Sequence, residues 1–248
     1  QTLTGDAIQI SYGDDGLYNW STSTSGLEVD DGTGIWADVT YPGTPWSMFD
    51  VEYTQATDGD VEYYAITYGS DTITIDSEND LSSGTTLTSV YEWTAGDLDI
   101  VKAETWDAAD QAVTVSFQLT NTGAEALTGA RFVWGFDADT DYEDYSDFDT
   151  LNDVGDLDAD GVDDWLQSVG PSSGWTVGLL SCQPGDDEFG HIGSWSSASN
   201  YDADITLTDH DGAEGDNAMY WRANAGDIAV GDTVVVSTVL DRESVVEG

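Results

Sequence analysis

The chain has 248 residues and sets four Lys and Arg against fifty Asp and Glu, a formal net charge of −46. So few basic residues exclude a protein that binds nucleic acid phosphates or an anionic membrane surface. Ten Trp, twelve Tyr and a hydrophobic share of 39 % exclude a disordered acidic tail. No apolar run approaches the roughly 18 residues of a membrane span, so we expect no membrane insertion.

Alternating apolar and polar residues predict strands along the whole chain, and helical periodicity is nearly absent. In chain order, the predicted strands are 7–11, 36–41, 48–53, 61–67, 72–76, 86–93, 98–106, 113–119, 127–134, 175–180, 218–223 and 233–240. Turn dipeptides such as Asp58-Gly59 lie between them. The pattern predicts an all-β fold with little helix, built as a large antiparallel β-sandwich.

A single domain over 1–248 is predicted, because the prolines are scattered and no Ser/Gly-rich linker separates two composition regimes. A subdivision near Gly96 stays open, since the segment from Trp93 onward reads as the start of a second set of strands. The acidic stretch at about 137–164 is predicted to be a cation-binding insertion, because it is otherwise too polar to pack.

Two stretches resemble motifs of exported bacterial and archaeal β-sandwich modules. The first runs from Thr114 to the Asn121-Thr122-Gly123 turn and on to Ala130–Trp134, and the second is Gly226–Val234. The layout also resembles the two-sheet supersandwich of galactose-mutarotase-like domains, without the His-based catalytic pattern of those enzymes. These resemblances imply a fold and export, and they imply no activity.

The charge predicts a high-salt environment. A compact chain this acidic repels itself unless salt or bound cations screen the charge, and at about 1 M salt the Debye length is only about 3 Å. The near-absence of Lys resembles proteins of salt-loving archaea; the alternative is a calcium-loaded secreted protein. A start at Gln1 rather than Met and the sequon Asn19-Trp20-Ser21 favour export. We therefore expect an extracellular or cell-surface protein.

The sharpest motif lies between residues 156 and 164. It places carboxylates at loop positions one, three, five and nine and a Gly at position six, as a hard cation that binds oxygen requires. The spacing resembles EF-hand-like loops and thrombospondin type 3 repeats. That resemblance implies calcium held by Asp156, Asp158, Asp160, Asp164 and the carbonyl of Val162. Gln167 replaces the usual Glu, so another loop must complete the shell. The alternative is a solvated acidic loop.

A second acidic cluster precedes this loop. If the chain is extended there, Asp137, Asp139 and Asp141 point the same way and repel one another unless a cation lies among them. We expect the two clusters to share one calcium-organised site. The alternative, which stays equally open, is a charged edge that is exposed to concentrated salt solution.

Catalysis has little support in the sequence. Cys182, His191 and His210 match no standard nucleophile or zinc spacing, and no pair among fifty acids is singled out for a glycosidase. The sequence therefore favours a non-enzymatic role.

The main hypothesis is an exported calcium-binding structural protein, a subunit of a cell-surface layer, filament or tube. It self-associates when the strand from Gln1 to Ser11 adds to a neighbour's sheet. A component of a virus particle from a salt lake fits the same features. The alternative is a carbohydrate-binding or polysaccharide-processing module of a secreted protein. It requires exposed aromatic rings, for which Trp20, Trp165 and Trp195 are the candidates.

Overall fold

The structure is a computed structural model that describes residues 1–18, 26–30, 34–40, 47–55, 59, 61–66, 73, 75–156, 164–182, 190–194 and 214–242. The strands are β1 (Thr2–Thr4), β2 (Ile8–Ser11), β3 (Leu27–Asp30), β4 (Trp36–Asp38), β5 (Ser47–Gln55), β6 (Val61–Ile66), β7 (Ile75–Asp80), β8 (Thr86–Ala95), β9 (Leu98–Asp107), β10 (Ala112–Asn121), β11 (Leu127–Asp137), β12 (Thr150–Gly155), β13 (Trp165–Val169), β14 (Thr176–Ser181), β15 (Gly190–Ser194), β16 (Glu214–Gly215), β17 (Asn217–Ile228) and β18 (Thr233–Asp241). The described ranges hold one short helix, α1 (Tyr142–Tyr145), and no helix with the length and apolar character needed to span a bilayer.

The described strands form three sheets. The largest has the order β16-β12-β13-β14-β18-β10-β9-β8-β7, the second β15-β17-β11-β5-β6, and the smallest β1-β2-β3-β4. The strand pairs in each sheet are antiparallel, as in β8 with β9 and β11 with β17. The predicted all-β, antiparallel sandwich is therefore confirmed.

The core lies between the nine-stranded and the five-stranded sheets. Burial alternates residue by residue along β9, as the period of two along a strand requires. Phe117 of β10 meets Phe132 of β11 with 4.3 Å between the ring centroids, and Phe49 of β5 lies 4.9 Å from Trp93 of β8. Each such ring contributes roughly 1.5–3 kcal/mol by leaving water, so these contacts hold the two sheets together.

Gly96 lies in the tight turn between β8 and β9, where Ala95 pairs with Leu98. Its φ is +61°, and an added Cβ would meet the hydroxyl of Tyr64. Because β8 and β9 pair along their whole length, the chain continues within one sheet at this point. The position of the turn argues against a subdivision here.

β12 is a strand of the large sheet, although the sequence pattern grouped it with a separate polar insertion. Its buried polar side chains satisfy one another across the sheet. Ser168 Oγ donates to Asn152 Oδ1 at 2.7 Å, and Thr150 Oγ1 lies 3.2 Å from the same oxygen. Polar residues can therefore pack here without a cation, which corrects the expectation for this part of 137–164.

The N-terminal stretch pairs within its own chain. Residues Gln1 to Ser11 form the β1–β2 hairpin, in which Leu3 pairs with Ile10 and both side chains are buried. Among the described strands, β1 is the edge of its sheet and pairs with β2 alone. Addition of this stretch to a neighbour's sheet stays a prediction.

Candidate metal centre and aromatic loop

Three carboxylates meet at one end of the five-stranded sheet. Asp137 ends β11 and pairs with Ala218 near the start of β17, the antiparallel neighbour. Asp139 lies two residues beyond β11, and Asp216 lies just before β17. One oxygen from each carboxylate lies within 4.8 Å of the others. Antiparallel pairing thus brings Asp216 beside residues that are far from it in sequence.

Two of these carboxylates are sealed from solvent. Asp137 is 2 % exposed and Asp139 is 1 % exposed. Within the described ranges, Oδ1 of Asp137 and both carboxylate oxygens of Asp139 have no hydrogen-bond partner. A buried charge without a partner is costly, so such groups either bind a proton or a cation.

The pKa values of Asp137 and Asp139 also indicate that these groups bind either a proton or a cation. Burial, followed by the charges of Asp139 and Asp216, raises the pKa of Asp137 well above its usual range. Burial, followed by the charges of Asp216 and Asp38, raises the pKa of Asp139 to about 8. A cation among these oxygens would reverse the effect by favouring the ionised forms. The three carboxylates can therefore hold a metal ion.

Asp141 is not part of this group of three carboxylates. Its two carboxylate oxygens accept hydrogen bonds from the backbone N–H groups of Ser172 and Ser173, at 2.6 and 2.8 Å. The backbone leaves the extended conformation after Asp139, since the N–H of Tyr142 donates to the Asp139 carbonyl at 3.0 Å. The expected alternation of Asp137, Asp139 and Asp141 therefore stops after two members.

The acidic loop at 156–164 connects β12 and β13. The N–H of Asp164 donates to the carbonyl of Gly155 at 2.7 Å, which closes the base of the loop, and Asp156 lies on the other side of that base. Asp158, Asp160 and Val162 lie outside the described residues.

The two acidic regions lie at opposite ends of β12. Thr150 at its start pairs with Gly215, the neighbour of Asp216, whereas Gly155 at its end leads into the acidic loop. At about 3.3 Å per residue the strand separates them by roughly 17 Å. Because Asp158, Asp160 and Val162 lie outside the described residues, one site shared by the two acidic regions stays a prediction.

The segment between β11 and β12, residues 138–149, is called the aromatic loop below. It carries Tyr145, 55 % exposed, and Phe148, 38 % exposed. These are the exposed aromatic side chains among those that the structure describes. The ring of Tyr142 packs against the ring of Phe148, with 4.2 Å between the ring centroids. Sequence reasoning missed this loop because it looked for exposed Trp.

Of the three predicted Trp candidates, the described residues include Trp165, and it is not on this surface. Trp165 is only 6 % exposed, because its ring packs where a Cβ on Gly155 would lie. Trp20 and Trp195 lie outside the described residues.

A second set of charged side chains is enclosed in the core. Lys102 Nζ lies 2.8 Å from Glu104 Oε1, and both side chains are buried. The ammonium group also lies 5.0 Å from the ring centroid of Tyr18 and 5.5 Å from that of Trp134. Tyr18 donates to the same Glu104 oxygen at 3.2 Å. Because the cluster has no exposed face, we assign it a structural role.

Comparison with known proteins finds no matching family model and no matching curated protein. Solved structures do match. A putative aldose 1-epimerase from Escherichia coli K12 has 13 % identity over 97 % of both chains, with a TM-score of 0.50. A galactose mutarotase related enzyme from Lactobacillus acidophilus has 10 % identity over 100 % of this chain and 98 % of that chain, with a TM-score of 0.48. A galactose mutarotase-like protein from Lactobacillus casei ATCC 334 has 11 % identity over 97 % and 99 %, with a TM-score of 0.46.

The chain has an aldose-epimerase-like β-sandwich fold. At 13 % identity the likeness concerns the fold alone. It agrees with the supersandwich layout expected from the sequence.

Proposed function

We propose that the chain is a carbohydrate-binding domain that contacts sugar with the aromatic loop. The exposed rings of Tyr145 and Phe148 carry this proposal, since Trp93, Trp134 and Phe117 are all buried. A flat ring offers its face to the apolar face of a sugar, and two exposed rings on one short loop mark a binding surface.

The acidic surroundings define the kind of sugar. Asp147 and Asp149 flank Phe148 in sequence, and carboxylates are acceptors for sugar hydroxyl groups. The aromatic loop contains no Lys, Arg or His that could pair with an anionic sugar, so the proposal is a neutral glycan. A structure that shares the fold is named a putative aldose 1-epimerase, which supports a carbohydrate ligand. The proposal concerns binding and assigns no reaction.

We further propose that calcium occupies the site formed by Asp137, Asp139 and Asp216. Calcium accepts six to eight oxygen ligands, so backbone carbonyls or water would complete the shell. Magnesium sheds water reluctantly and usually binds one or two carboxylates, which suits a buried group of three less well. The loop at 156–164 remains a proposal for a second calcium ion.

The surface-layer or filament hypothesis has less support. β7 forms one edge of the large sheet and carries Asp76, Glu78 and Asp80. Charged edge strands disfavour pairing between sheet edges. We therefore favour the carbohydrate-binding alternative, and we retain an exported, high-salt protein as part of the proposal because the composition supports it.

The test is affinity electrophoresis in molar salt and calcium, with a β-glucan, a galactomannan and a xylan as neutral polysaccharides and alginate as the anionic comparison. We expect at least one neutral polysaccharide to retard the protein. The double variant Tyr145→Ala, Phe148→Ala should weaken binding by about tenfold or more. The control variant Leu81→Ala, which removes an exposed side chain next to β7, should bind normally. Failure of every neutral polysaccharide to bind would refute the proposal.

A further inference from the structure

We infer that the cation at Asp137, Asp139 and Asp216 controls glycan binding by holding the two ends of the aromatic loop together, without touching the sugar. This inference rests on the proposed function, and it adds the regulation of that site.

The first end of the loop begins at the metal centre. Asp137 is the last residue of β11, and Asp139 follows inside the loop. The Asp139 carbonyl accepts the N–H of Tyr142 at 3.0 Å, and the Asp141 carbonyl accepts the N–H of Tyr145 at 2.9 Å. The position of Asp139 therefore determines where the turn that carries Tyr142 and Tyr145 begins.

The second end of the loop returns to the same centre. Thr150, the first residue of β12, pairs with Gly215, and its Oγ1 donates to the Gly215 carbonyl at 3.2 Å. Asp216 is the next residue along the chain. An ion bound by Asp137, Asp139 and Asp216 would therefore connect the start of the loop to the strand that holds its end.

Removal of the ion would weaken this connection. Three clustered carboxylates repel one another when ionised, and Asp139 has no hydrogen-bond donor within the described ranges to compensate either oxygen. The loop keeps a second anchor, because Asp141 accepts the N–H groups of Ser172 and Ser173. We therefore expect the calcium-free loop to sample more conformations while the fold persists, which lowers the fraction of molecules ready to bind.

The burial of the carboxylates places the sugar outside the metal shell. Asp137 and Asp139 have almost no surface, so a sugar hydroxyl would not reach an ion from the side of these two carboxylates. Calcium dependence would thus arise from the shape of the loop, and the sugar would contact Tyr145 and Phe148.

The experiment is isothermal titration of the full chain in molar sodium chloride, with the neutral polysaccharide that binds best. Titrations are made after chelation, after calcium is restored, and with magnesium instead. We expect about tenfold weaker glycan binding after chelation and recovery with calcium. Hydrogen exchange of amides 142–149 should be faster in the calcium-free protein, whereas amides of β9 should not change.

Two variants and a charge-matched control complete the design. Asp139→Asn and Asp216→Asn should bind glycan weakly, with no response to calcium. Glu214→Gln removes the same charge from an exposed position two residues before Asp216 and should behave as the wild type. Melting curves check that each variant is folded. If a variant does not fold, the wild-type titrations with and without calcium decide.

The outcomes separate this inference from the proposed function. Glycan binding of equal strength with and without calcium would overturn the inference and leave carbohydrate binding intact. Absence of glycan binding under every condition would overturn both, whatever calcium titration shows. Calcium-sensitive binding that persists unchanged in Asp139→Asn and Asp216→Asn would also overturn the inference, because the responsible ion would lie elsewhere.

Discussion

Replacing Asp139 by asparagine is predicted to have opposite effects on stability with and without calcium. The change removes a negative charge at almost constant volume from a side chain that is buried and has no hydrogen-bond partner in the described ranges. Without calcium, the wild-type carboxyl must take up a proton to be buried at pH 7, and the variant avoids that cost, which stabilises the fold. With calcium, loss of a ligand removes the stabilisation that binding supplies.

The calcium-free effect follows from the pKa of Asp139, which rises from 3.8 to about 8 on folding. At pH 7 the unfolded carboxyl is ionised and the folded one is mostly protonated. The gap of about three pH units corresponds to a cost of about 4 kcal/mol. The neutral asparagine amide avoids this cost, and its buried polar groups lack partners just as those of the protonated carboxyl do. The variant should therefore be more stable by up to about 4 kcal/mol.

The calcium effect follows from mass action. At free calcium about 100 times the dissociation constant, binding stabilises the wild type by about 2.7 kcal/mol. For a chain of this size, that corresponds to a rise of about 5–10 °C in melting temperature. The variant should lose most of this rise.

Thermal melting at pH 7 in molar salt, with chelator or with calcium, measures both effects. Glu214→Gln serves as the control, because it removes an exposed charge beside the same site. The reasoning would be refuted if Asp139→Asn melted below the wild type in chelator and still showed the full calcium response.

Three further predictions concern pH and packing. In the calcium-free protein, the raised pKa of Asp139 should make the free energy of unfolding fall as pH rises from about 4 to 8, because the folded state holds the extra proton. Urea unfolding at pH 5 and pH 8 checks this, and the slope should become smaller in Asp139→Asn, where Asp137 and Asp38 still have raised pKa values. Lys102→Met leaves the buried Glu104 carboxylate without its positively charged partner, which should cost about 3–5 kcal/mol. Adding Glu104→Leu should recover most of that loss, and additive losses would contradict the prediction. Gly155→Ala places a Cβ against the ring of Trp165 and should cost about 1–3 kcal/mol, measured by urea unfolding; unchanged stability would argue against the packing.

Much of the fold could be read from local sequence. The alternation in residues 113–119 predicts a strand that the structure extends to Ala112–Asn121, with the expected buried face. Strands whose buried faces are polar could not be predicted from this alternation. β12 buries Thr150 and Asn152, whose oxygens are satisfied by each other and by Ser168, and no hydropathy pattern signals such pairing.

The metal centre, too, could be predicted only in part from the sequence. The sequence indicated Asp137 and Asp139, because closely spaced carboxylates need a cation to coexist. It gave no sign of Asp216, and it included Asp141, which binds the backbone of Ser172 and Ser173 instead.

The sequence by itself determined that the chain is β-structured, acidic and unsuited to bind nucleic acid, because composition and a period of two are local properties. Only the tertiary structure decided which carboxylates meet, that Trp165 is buried, and that Tyr145 and Phe148 are exposed. The reason is physical. Which strands pair, and in what register, depends on how distant segments pack together, and the pairing of β11 with β17 brings Asp137 to Asp216.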